Sequence, residues 1–168
     1  TLEVQLKNID FQLETSMRQL NVKRSLLAFL QGRAVKKMSD SYEQALFDSK
    51  VGQLSVSLDD LISQVAFLET EVMRTRKLAK VRLIPETEYD KKLHELAKAQ
   101  LQHKKFLNSN IATLFDEISA LEQTIHSAEI DRRKNAIQLE KEELENEKFI
   151  SGILRQKNAL LQELQRKR

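Results

Sequence analysis

The chain has 168 residues, 32% of them charged and 40% apolar, with three glycines, one proline, no cysteine and no tryptophan. That balance suits extended paired helices rather than a thick layered core, and the absence of thiols excludes disulfides and thiolate metal sites. A formal charge of +3, from 28 basic and 25 acidic side chains with no arginine block, argues against nucleic acid as a partner.

No apolar run is long enough to cross a bilayer, and no signal peptide is present. The chain opens on Thr1 and stops inside a helical pattern. It is therefore expected to be a piece excised from a longer chain. Arg166-Lys167-Arg168 suits the negative pole of a helix end.

Residues 1–84 read as an ascending arm. Its first half carries Ile9, Leu13, Leu20, Leu27, Val35 and Phe47. Glycine in a helix costs about 1 kcal/mol relative to alanine, so Gly32 and Gly52 mark candidate helix breaks, and Gly152 a further irregularity. Ser49, Ser55 and Ser57 strengthen the signal at Gly52, and the arm is expected to split near 49–53. From Val51 the seam spacing alternates threes and fours through Leu54, Leu58, Leu61, Val65, Leu68, Val72 and Thr75, and Leu78 follows after a further three. That is the seam of a coiled coil.

Pro85 is the only proline, with 84 residues before it and 83 after. Proline removes a backbone N–H and clashes with the preceding turn, so it ends one helix and suits the start of the next. Glu86 and Glu88 then favour a helix N-terminus. The descending arm, 85–168, continues the seam through Tyr89, Leu93, Leu96, Gln100, His103, Leu107, Ile111, Leu114, Ile118, Leu121 and Ile125. Between Ile130 and Glu147 the chain is highly charged, which suggests a loosened seam or an interface with other copies.

In an antiparallel hairpin the numbers of facing residues keep a constant sum. Leu78 with Leu93, Leu61 with Ile111, Leu54 with Ile118 and Phe47 with Ile125 obey this. Val35 with Ile137, Leu27 with Leu144, Leu20 with Ile153, Leu13 with Leu160 and Ile9 with Leu164 continue it, the sum drifting by about one residue along the length. The predicted fold is all-α, a long antiparallel coiled-coil hairpin with its tip at Pro85 and arms on the order of 120 Å.

The stretch from Arg74 through Leu78, Ile84 and Pro85 to Glu88, Tyr89 and Asp90 resembles the hairpin tip of the periplasmic adaptor, or membrane fusion, proteins of export systems. In that family an Arg is followed four residues later by Leu and seven further on by Ser. Arg74 and Leu78 match, and Pro85 stands where the serine is expected. Leu83-Ile84-Pro85-Glu86-Thr87-Glu88-Tyr89 is most similar to the hemolysin-secretion (HlyD) branch.

The resemblance implies that a parent protein anchored in the inner membrane stands in the periplasm. There it joins an ABC transporter to a TolC-like outer-membrane channel, usually with six hairpins side by side. Arg74, Leu78, Pro85, Glu88 and Tyr89 would form the channel-docking tip. A drug-efflux adaptor is the alternative within the family, and a cytoskeletal or tethering coiled coil the alternative outside it.

Plainer roles stand beside these. Leu78 fits the seam, Arg74 a solvated helix face, and Tyr89 packing over the turn near Arg82. Gln100 and His103 are polar seam positions that set register. His94, His103 and His126 form no close pair, and no phosphate loop, nucleophile elbow or paired-acid pocket appears. No catalytic residue, cofactor or metal is expected.

Overall fold

The computed structural model describes all residues, 1–168. It is built from three helices and no strand: α1 (Leu2–Leu30), α2 (Ser41–Lys80) and α3 (Glu86–Arg166). Tertiary contacts divide it into one unit of Arg18–Glu122 and another of Thr1–Met17 with Gln123–Arg168.

The Arg18–Glu122 unit holds α2, the first part of α3 and the end of α1. The burial of α2 and α3 follows the coiled-coil spacing. On α2, Val51, Leu54, Leu58, Leu61, Val65, Leu68, Val72, Thr75 and Leu78 are all buried or half-buried, as the periodicity requires. The facing stripe of α3 runs through Leu96, Ala99, His103, Leu107, Ile111, Leu114, Ile118 and Leu121. Near the apex it departs from the predicted ladder. Ala99 is only 3% exposed, while Gln100 and Leu93 face solvent. The small alanine one position away gives the seam an apolar member and leaves the amide of Gln100 in water, where its hydrogen bonds cost nothing to satisfy. Thr75 is buried, but its hydroxyl donates to the Glu71 carbonyl at 2.8 Å, so no polar group is stranded.

The end of α1 carries a wider apolar face than a two-helix seam needs. Leu20, Val22, Leu26, Leu27 and Leu30 are all buried, and Val22 is 1% exposed. Residues on more than one helical ridge are covered, as happens when a helix is packed by more than one neighbour. On α3 in the same unit, Lys23 pairs with Glu117 and Arg24 donates to Glu122 at 2.8 Å. Pairs this exposed each contribute about 0–1 kcal/mol. The apolar residues carry the stability and the ion pairs select the register.

In the other unit, Leu2, Leu6, Ile9, Leu13 and Ser16 form the covered stripe of α1. Leu6, Asp10 and Leu13 line a groove with Glu129, Arg132, Arg133 and Ala136. Arg132 donates to Asp10 at 2.6 Å. From Glu140 to Arg168 every residue of α3 is exposed.

This register corrects the predicted one for the first arm. Leu144, Ile153, Leu160 and Leu164 are exposed, so they do not cover Leu27, Leu20, Leu13 and Ile9. Ile137 is likewise exposed and does not face Val35. Residues 1–84 are not one arm. They are two helices joined by the ten-residue connection 31–40. The predicted break near Gly52 is absent: α2 runs unbroken through 49–53, and α3 through Gly152. One glycine costs about 1 kcal/mol, which the half-buried Val51, Leu54 and Ser55 on α2 outweigh.

The break near Gly32 is present and has its own chemistry. Gly32 adopts φ +71°, its N–H donates to the Phe29 carbonyl, and the Arg33 N–H reaches back to the Ala28 carbonyl at 2.8 Å. That is a Schellman cap with glycine in the left-handed position. Asp40 then starts α2. Its carboxylate accepts the Tyr42 N–H at 2.8 Å and lies 3.4 Å from the Arg18 guanidinium, while Gln44 accepts the Met38 N–H at 2.9 Å. Asp40→Ala should cost about 1–2 kcal/mol in a urea titration, with Asp40→Asn retaining most of the stability. Equal stability of all three proteins would show that the cap contributes nothing.

Candidate functional site: the hairpin apex

α2 ends at Lys80 and α3 begins at Glu86, so the apex is the connection Val81–Pro85. Its geometry repeats that of the Gly32 cap with a different residue at the critical place. Arg82 has φ +61°, its N–H donates to the Ala79 carbonyl at 3.1 Å, and the Leu83 N–H donates to the Leu78 carbonyl at 2.9 Å. A non-glycine side chain in the left-handed region costs roughly 1–2 kcal/mol, which the two capping bonds and the pairing of α2 with α3 offset. Pro85 directly precedes α3, and its carbonyl accepts the Glu88 N–H at 3.2 Å. Proline thus opens the second helix without adding an unpaired N–H of its own.

The sequence-predicted residues fall into two groups around this turn. Pro85 and Glu88 are exposed at the start of α3, and Tyr89 is half-buried. Leu78 is half-buried, and its carbonyl anchors the cap. Arg74 lies one turn further back. Its guanidinium is 63% exposed and donates to Glu71 at 2.7 Å, which leaves further donors open to solvent.

Two residues were missed by the sequence reading. Val81 and Leu83 are 65% and 72% exposed, the most apolar part of the turn. Their signal was available, because Leu83 falls five residues after Leu78, off the seam spacing, and both occupy turn positions where polar residues are usual. The charges around them are sorted. Arg74, Arg76, Lys77 and Lys80 precede the turn, Arg82 lies within it, and Glu86, Glu88 and Asp90 follow it. Each set complements the dipole of its own helix end.

The apex can therefore present a small apolar knob between a basic and an acidic flank, on a turn fixed by backbone hydrogen bonds. No protein-family model, no curated protein and no solved structure matches the chain.

Proposed function

We propose that this chain is the helical hairpin of a periplasmic adaptor of type I secretion, docking by its apex on the helical tips of a TolC-like outer-membrane channel. The parent protein would be anchored in the inner membrane beside an ABC transporter, with several copies, six in the usual assembly, side by side. The observation that carries this reading is the apex itself: exposed Val81 and Leu83 on a capped turn, with the free donors of Arg74 one turn behind.

Each group has a distinct part. Leu83 and Val81 supply the apolar contact. Arg74 offers planar donors to carbonyls or carboxylates. Leu78 acts through the turn, by holding the Leu83 amide. Pro85 brings no hydroxyl where the family has serine. Its contribution is to keep the turn in one conformation, which lowers the entropic cost of docking.

The test places a photo-cross-linking residue at position 83 of the parent protein in cells that make the channel. Cross-linking to the channel is expected, and Leu83→Asp or Arg74→Ala should each weaken docking on the order of tenfold. If position 83 captures no outer-membrane protein and both variants export normally with unchanged helicity, the apex is not a docking site.

A further inference from the structure

Two features are unexplained by anything above. The last part of α3 is apolar yet uncovered: Leu144, Phe149, Ile150, Ile153, Leu154, Leu160, Leu161 and Leu164 are all exposed, with Ile150, Ile153, Leu160 and Leu164 at seam-like spacing. A monomeric protein rarely leaves so long an apolar stripe open. The second feature is that α1 carries a ladder fitting this stripe. Leu13 and Ile9 are in hairpin register with Leu160 and Leu164, and Leu20 is in the same register with Ile153. In the structure Leu13 instead lies beside Glu129, and Asp10 is bound to Arg132. One helix thus matches two tracks along α3.

We infer that α1 is a strap with two registers, the second of which covers the exposed stripe of α3 from Ile150 to Leu164. In the second register the connection 31–40 becomes helical and joins α1 to α2. Its chemistry permits this: it contains no proline, and only Gly32 is held in a non-helical conformation that other residues avoid.

The two states exchange one set of apolar contacts for another. The observed register buries Val22, Leu26 and Leu30. The second gives these up and covers Ile153, Leu160 and Leu164. Two packings of one sequence that exchange comparable surfaces make a bistable element. The intrachain form is favoured over a swapped dimer because α1 is tethered beside its second track by the helix it would extend. The strap does not depend on the adaptor reading.

The chain lacks cysteine, so any introduced pair is the only one present. Asp10→Cys with Arg132→Cys reports the observed register, and Leu13→Cys with Leu160→Cys reports the second. Ile9→Cys with Leu164→Cys serves as an independent reporter. The 168-residue chain is treated with a short bis-maleimide, and products are separated by mass. The expected result is that all three pairs close within a monomer.

Adding Gly32→Ala should raise the ratio of second-register to observed-register product on the order of tenfold, because alanine is strained at φ +71° and prefers the helix. Closure of the second-register pairs only between chains would assign the stripe to another copy and overturn the strap. So would failure of both second-register pairs, with and without Gly32→Ala, while the first pair closes.

Discussion

Leu26→Ala should lower the free energy of unfolding by about 2–5 kcal/mol, the range for removing a buried leucine side chain. Leu26 is 3% exposed and lies among Val22, Leu27 and Leu30 at the end of α1. The alanine leaves a cavity that helices held along their length cannot close. A urea titration should show a lower midpoint at unchanged slope. Leu154→Ala is the control, because Leu154 is exposed on α3 and its truncation should stay within about 0.5 kcal/mol. The reverse order of effects would mean that α1 is not packed where the structure places it.

Gly52→Pro should be the most damaging single change in α2, costing about 3 kcal/mol or more. Proline removes a helical hydrogen bond and clashes with the preceding turn. Gly52→Ala should do the opposite and add about 0.5–1 kcal/mol, since a Cβ there meets no atom within 4 Å and the helix gains rigidity. Helical circular dichroism through a thermal melt would separate the outcomes. Were residues 49–53 a break, as the glycine and the serines suggested, the proline would be tolerated and the alanine would gain nothing.

The contrast between Gly32 and Gly52 shows what the sequence could convey. Both sit in helical patterns, and composition favoured the wrong one. The deciding signal lies downstream of Gly32, where Asp40-Ser41-Tyr42-Glu43 places a capping carboxylate three residues before a glutamate. That is a helix-start pattern; Ser57 and Asp60 repeat its spacing after Gly52, but there the apolar ladder runs on without a gap. The pairing of α2 with α3 was legible because a unique proline and two ladders in matching register leave one arrangement.

The track of α1 was not legible, because periodicity reports which face is apolar and not which partner covers it. Leu13 satisfies the spacing rule against Leu160 as well as it does in its observed place. At the apex, Pro85 and the acidic first turn were readable. The left-handed Arg82 was not, since arginine is an unusual choice there and carries no local signal. Leu83 was overlooked because an apolar residue near a seam is ordinarily counted into it.

The spacing of contacts along the chain also gives assembly a direction. The Leu78 carbonyl and the Leu83 amide meet within one turn, whereas Lys23 and Glu117 are 94 residues apart. Closing a longer loop costs more entropy, so α2 and α3 zip together outward from the apex and α1 joins a pair already formed. The latest arrival is also the first to leave. Backbone amides of Val22–Leu30 should accordingly exchange with deuterium faster than those flanking Leu68 and Leu114, although all three sites are equally dry. Equal rates would mean that the molecule opens as one piece. Unequal rates would make α1 a clasp that works while its anchorage stays intact.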